Sequence, residues 1–218
     1  MARMILCLLL LLVSGEGLAS PRPIIVFGDS LSSAYRIESA NGWVHLLEDR
    51  LHQAGIDRPV VNASIAGETT AGGLARLPQL LSTRRPALVI IELGANDGLR
   101  GLPIEEIRGN LQRIVAMCRE AGAKVVLLGI ELPINYGPRY RDGLRTVYRD
   151  LATKFNVPLV PFLLEGVALD PDLMQEDGLH PNARGEPKVL DHVWPVLEAA
   201  ITGLRNNSRS AHAERPSL

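Results

Sequence analysis

Short, uninterrupted apolar runs recur along the chain: PIIVF, PVVNAS, ALVIIELG, KVVLLGI and VPLVPF, each bounded by Gly, Pro or charged residues. They are rich in Val, Ile and Leu and lack the alternation of a one-sided sheet. That pattern predicts strands buried on both faces, as in a parallel sheet. Between the runs, apolar residues fall at helical spacing: Trp43, Leu46, Leu47 and Leu51; then Ile104, Ile107, Leu111, Ile114 and Cys118; then Tyr140, Leu144, Val147, Tyr148, Leu151 and Phe155. A last helix is predicted from Lys188 to Leu204. Cys118 lies on the apolar stripe of its helix, which marks a buried structural thiol and not a reactive one.

Alternating strands and helices predict an α/β fold with right-handed crossovers. The expected architecture is a three-layer α/β/α sandwich, flavodoxin-like, with a five-stranded parallel sheet and helices on both faces. A length of 218 residues suits one domain with a sizeable core. Residues 1–19 read as a secretory signal: Arg3, an apolar block from Met4 to Val13, and small residues at Gly17 and Ala19 before the cut. The domain is then expected over residues 20–205, with a disordered polar tail over 206–218. The apolar block is too short to span a bilayer, so an exported protein is expected, periplasmic in a Gram-negative host or secreted otherwise, with no stable membrane anchor.

Composition narrows the partners. The formal net charge is −1, with basic residues scattered among acids, which excludes a phosphate-backbone binder and so nucleic acid. Aromatic residues make up only 4% of the chain, which argues against stacking sugars or bases. Once Cys7 leaves with the signal, Cys118 has no partner for an intrachain disulfide, so the core alone must hold the fold. The near-neutral charge and self-contained core suit a monomer.

Open parallel sheets bind ligands beyond the carboxyl ends of their strands. There the chain places GDSLS after the first run, NASIAGETT after the second, LGANDG after the third and, after a longer loop, DGLHPN. Each has an ordinary structural reading: Ser30 as a helix cap, Gly67 and Asn96 as turn residues, His180 as a surface histidine. Together they supply what acyl transfer needs: a nucleophile, a base, an orienting carboxylate and oxyanion donors. Asp177 and His180 are three apart in a Gly- and Pro-punctuated loop, close enough for the carboxylate to hold Nδ1–H and leave Nε2 for Ser30. Ser30 is expected at a helix start. The loops GLRGLP and ELPINYGPRY offer Leu99, Leu102, Leu132, Pro133 and Ile134 as apolar walls, with Glu131 as a charged flank.

Two other chemistries fit the same edge. A metal-dependent phosphoesterase could use Asp29, Asn96, Asp97, Asp177 and His180 as ligands, although only one histidine lies in these segments. A noncatalytic module could hold an anion at helix N-termini, although this leaves the Asp177/His180 spacing unexplained.

In these motifs the chain resembles the GDSL-type SGNH hydrolases, and within them the bacterial secreted thioesterase, lysophospholipase and arylesterase group. FGDSLS, NASIAGETTAGG, ELGANDGLRG and DGLHPN match the four family blocks in order, so the resemblance spans nearly the whole mature chain. It implies Ser30 as nucleophile, His180 as general base and then acid, and Asp177 as its orienter. The oxyanion hole it implies comprises the N–H of Ser30, the N–H of Gly67 and the amide of Asn96. It implies no cofactor and no metal. The substrates it implies are acyl esters and thioesters, with a carbohydrate O-acetyl ester as the alternative for the same triad.

Overall fold

The structure, a computed structural model, describes residues 21–213. The segment expected to be a signal lies outside the described residues. Five strands form one parallel sheet: β1 (Ile24–Gly28), β2 (Val60–Asn62), β3 (Leu88–Glu92), β4 (Lys124–Leu128) and β5 (Leu159–Val160), in the order β2-β1-β3-β4-β5. Every residue of β1 and β3 is buried, which explains why the sequence shows them as continuous apolar runs. The edge strands β2 and β5 are much shorter than the runs that contain them.

The helices are α1 (Trp43–Gln53), α2 (Thr70–Arg84), α3 (Ala95–Leu99), α4 (Ile104–Glu120), α5 (Pro138–Phe155) and α6 (Glu186–Ala213). From β1 the chain first steps to one side through α1 and then winds the other way through α2, α4 and α5. With right-handed crossovers, that reversal puts α1 on the opposite face from the other three. Accordingly α1 packs on α6, while α4 packs on both α2 and α5. This is the expected three-layer, flavodoxin-like sandwich. Cys118 is fully buried on α4, and burial pushes its thiol up to about 12, which makes it inert at neutral pH.

Two stretches depart from the sequence reading. Helix α2 was not marked by periodicity, because Gly72, Gly73 and Pro78 interrupt it. The reason is close packing: a Cβ on Gly73 would sit 2.6 Å from Leu93 and 3.2 Å from the Phe27 ring. Thr69 caps the helix by accepting from the Gly72 N–H at 3.1 Å. Helix α6 runs to Ala213, so residues 206–213 continue the helix where a disordered tail was expected; residues 214–218 lie outside the described residues.

Helix α1 starts at Trp43 behind Gly42, which has no side chain to cap it. The capping group comes from α6 instead, where Glu186 accepts the Trp43 N–H at 2.8 Å. Burial pushes the Glu186 carboxyl up to about 7 despite that hydrogen bond. The folded protein therefore binds this proton more tightly than the unfolded chain, and stability falls as pH rises between about 4.5 and about 7. A shift of that size corresponds to a few kcal/mol, on the order of 1.4 kcal/mol per pH unit. Glu186→Gln keeps the acceptor and removes the titration, so its Tm should decline less steeply than that of the parent across this window. An unchanged slope would remove Glu186 from the pH dependence.

Candidate active site

The site lies where the sheet changes winding direction, beyond the carboxyl ends of β1 and β3. After β1 the chain does not enter a helix: residues 30–36 are turns, and the next helical segment begins at Ser39. The expectation of Ser30 at a helix start is therefore corrected. The bend is built by Asp29, whose Oδ1 accepts the Leu31 N–H at 3.0 Å and whose carbonyl accepts the Ser32 N–H at 3.3 Å. This leaves the Ser30 hydroxyl free of capping duty.

Ser30 Oγ lies 2.8 Å from His180 Nε2, and His180 Nδ1 lies 2.7 Å from Asp177 Oδ2. Asp177 Oδ1 also accepts the N–H groups of Leu179 at 2.9 Å and His180 at 3.0 Å. Burial alone would raise the Asp177 carboxyl, but these N–H donors and the His180 ring hold it below its ordinary value. An ionised Asp177 only accepts, so it fixes the proton on Nδ1 and turns the Nε2 lone pair to Ser30.

The His180 loop is held by residues that carry no periodic signal. Gln175 Nε2 donates to the carbonyls of Tyr35 at 2.8 Å and Pro181 at 2.9 Å, and the Gln175 N–H donates to the His180 carbonyl at 2.8 Å. The Tyr35 ring stands against the imidazole, with centroids 4.5 Å apart. Asn182 donates to the carbonyls of Asp172 and Met174 and accepts from the N–H groups of Arg184 and Gly185.

Of the three expected oxyanion donors, Ser30 and Asn96 line one cavity, and Gly67 is not among its lining residues. No hydrogen bond among the described residues takes up the backbone N–H of Ser30 or of Gly67. Gly67 has φ +79°, a left-handed conformation that favours glycine. Its carbonyl accepts from Arg100 at 3.2 Å, just after α3. Asn96, in the first turn of α3, donates one amide N–H to Asp29 Oδ2 at 3.0 Å.

Behind these groups lies a layer of buried acid. Glu92, at the end of β3, accepts the Asp29 N–H at 3.2 Å and the Ser32 hydroxyl at 2.8 Å on one oxygen, while its other oxygen makes no hydrogen bond among the described residues. Burial, reinforced by the Asp29 charge, raises the Glu92 carboxyl well above its ordinary value. Burial also pushes Asp29 up to about 6, against the hydrogen bonds from Leu31 and Asn96. Asp97 accepts the N–H and hydroxyl of Thr70, joining α3 to the start of α2. These acids are thus engaged with the scaffold, and no group of three His, Cys, Asp or Glu among the described residues is placed to hold a metal.

A cavity of about 500 Å³ opens beside Ser30, Asn96 and His180. Leu99, Leu132, Pro133 and Ile134 line it as expected, but Leu102 does not. The Leu102 side chain is only half-buried elsewhere, and its carbonyl accepts the Tyr140 hydroxyl at 2.6 Å. The sequence reading missed Leu31, Phe162, Leu164, Leu169, Met174 and Leu179, most of them on the irregular loop after β5. Glu131 holds the opposite wall: Arg145 grips it with two bonds of 2.7 and 2.6 Å, and Arg141 donates to the Leu132 carbonyl at 2.8 Å.

A serine, an imidazole and a carboxylate in line beside an apolar cavity, with the serine N–H unused, are the equipment of a serine ester hydrolase. The profile of the GDSL-like lipase/acylhydrolase family matches residues 26–186. Esterase TesA of Pseudomonas aeruginosa is 49% identical over 195 residues, covering 89% of this chain and 96% of that protein. Thioesterase 1/protease 1/lysophospholipase L1 of Escherichia coli is 41% identical over 183 residues, covering 84% and 86% of the two. The structure of the psychrotrophic esterase EstA from Pseudoalteromonas sp., inhibited by monoethylphosphonate, matches with a TM-score of 0.79 at 39% identity, over 83% of this chain and 99% of EstA. The chain belongs to the GDSL-like lipase/acylhydrolase family and is a serine esterase of that type.

The turn under Ser30 has no spare room. A Cβ on Gly28 would lie 2.6 Å from Glu92 Oε2, 2.9 Å from the Glu92 carbonyl and 3.0 Å from Ser32 Oγ. Gly28→Ala should therefore destabilise the fold by roughly 1–3 kcal/mol, the usual cost of overpacking, and lower kcat as the turn shifts. Parent-like values of both Tm and kcat would mean that the turn adapts freely.

Proposed function

We propose that the enzyme hydrolyses acyl esters and thioesters, among them fatty acyl-CoA, lysophospholipid and aryl esters, through an acyl-enzyme on Ser30. The observation that carries this reading is the Ser30–His180–Asp177 line, with contacts of 2.8 and 2.7 Å, facing an apolar cavity. His180 Nε2 takes the Ser30 proton as Oγ attacks the acyl carbon. The carbonyl oxygen becomes an oxyanion between the N–H groups of Ser30 and Gly67 and the Asn96 amide. The tetrahedral intermediate collapses, and imidazolium gives its proton to the departing alcohol or thiol. Water then gives a proton to His180 and attacks the acyl-enzyme, and the reverse transfer frees the acid and Ser30.

The names of the relatives support an ester or thioester substrate, and the cavity supports an acyl chain of some length. The apolar lining also favours this reading over a carbohydrate O-acetylesterase, which would need polar walls for the sugar. No helix among the described residues is long and apolar enough to cross a membrane. The N-terminal sequence supports export, with the mature enzyme acting as a monomer on small-molecule substrates.

The test is hydrolysis of esters and CoA thioesters from acetyl to palmitoyl, with and without chelator, with Ser30→Ala as control. A serine-dependent kcat/KM that rises by up to about fourfold per methylene, about 0.8 kcal/mol each, fits burial of the chain. A rate confined to acetyl would favour the O-acetylesterase. Chelator-sensitive activity surviving in Ser30→Ala would favour a phosphoesterase-like metal site. Asn96→Ala should lower kcat by roughly 10²–10³ with KM little changed, as for loss of one oxyanion donor; unchanged turnover would remove Asn96 from the mechanism.

A further inference from the structure

We propose that Asp29 is a positioning residue for the reaction: by accepting one N–H of the Asn96 carboxamide, it dictates which face of that carboxamide meets the developing oxyanion. This rests on the reading of Asn96 as an oxyanion donor.

A carboxamide has two nearly isosteric ends, one donating and one accepting. With Nδ2 toward the acyl oxygen, Asn96 stabilises an oxyanion. Rotated by half a turn, it presents a lone pair and repels it. The shape of the site alone distinguishes these poorly. The bond from Asn96 Nδ2 to Asp29 Oδ2, at 3.0 Å, is the only hydrogen bond made by the Asn96 side chain among the described residues. An ionised carboxylate has no donor, so Nδ2 must stay on its side. One amide proton is spent on Asp29, and the second, fixed in the same plane, is left for the substrate.

Asp29 is itself held firmly. It is fully buried, its other oxygen accepts the Leu31 N–H at 3.0 Å, and its own N–H donates to Glu92 at 3.2 Å. The acidic groups that face it come from three elements: Glu92 on β3, Asp97 on α3 and the Tyr148 hydroxyl on α5. No ion pair among the described residues offsets its charge, and burial brings its titration to about 6. Protonated, Asp29 gains a donor that can serve the Asn96 oxygen as well as an acceptor for its nitrogen. The carboxamide can then turn. Turnover should fall as Asp29 takes up its proton, in addition to the loss caused when His180, the base, is protonated.

Asp29→Asn tests this, because asparagine keeps the volume but offers both a donor and an acceptor. Its kcat should fall roughly 10- to 100-fold, less than for complete loss of the donor, with KM for the same ester within about twofold. The acid limb of log kcat against pH should lose one of two ionisations, its slope falling toward that of one proton. In the intact enzyme, the Asn96 side-chain amide signals, assigned by their absence in Asn96→Ala, should titrate with a midpoint near 6. This readout stands even if Asp29→Asn fails to fold. Parent-like kcat and acid limb in a folded Asp29→Asn, or Asn96 amide signals flat from about pH 5 to about pH 8, would overturn the proposal. Ser30→Ala separates the two readings: if it stays active, the site assignment itself fails, whereas an inactive Ser30→Ala beside a fully active Asp29→Asn sinks only the positioning role.

Discussion

Because the chain winds outward from β1 in both directions, the connections leaving β1 and β3 cover opposite faces of the sheet and part at its carboxyl edge. The crevice between them exists before any catalytic residue is placed in it. The turn after β1 delivers Ser30 to one lip, and the short helix after β3 delivers Asn96 to the other. The long loop between β5 and α6 then brings Asp177 and His180 across from the far side of the sheet. The four groups come from three segments, with Asp177 and His180 sharing one loop.

The same edge concentrates buried charge. Asp29, Glu92 and Asp97 are fully buried within a few residues of Ser30 or Asn96. Buried carboxylates cost free energy unless hydrogen-bonded or neutralised. Here they are met by N–H and hydroxyl donors, and burial favours the protonated form of Glu92. Glu92 is the clearest case, with one oxygen accepting two bonds and the other making none among the described residues. Such a cluster is a poor way to stabilise a sheet. It makes sense as scaffolding that fixes the Ser30 turn and the Asn96 carboxamide in one arrangement.

Much of this was legible in the sequence. Strands β1, β3 and β4 are buried along almost their whole length, so their runs are apolar except for Glu92 at the end of β3 and Lys124 at the start of β4. Ser30, Asp177 and His180 could be found because Gly and Pro punctuate their loops and the strand order sends those loops to one edge. Helix α2 could not, since the glycine that lets it approach Leu93 and Phe27 also erases its apolar stripe. Ser30 was placed at a helix start because a serine after a strand usually caps one. The Asx turn made by Asp29 takes that place. Leu102 followed the motif rather than the cavity, and the walls from Phe162 to Leu179 lie in a loop whose conformation has no periodic signature. Asp29 stood out in the sequence only as a candidate metal ligand, for its bond to Asn96 spans 67 positions.

Whether Ser30 is an activated nucleophile is measured most directly by intact-protein and peptide mass spectrometry after exposure to an alkyl fluorophosphonate. The expected result is a single adduct, carried by the peptide containing Ser30, formed by folded protein and abolished when His180 is replaced by alanine or the protein is unfolded first. Folded protein that hydrolyses esters yet carries no adduct at Ser30 would contradict it.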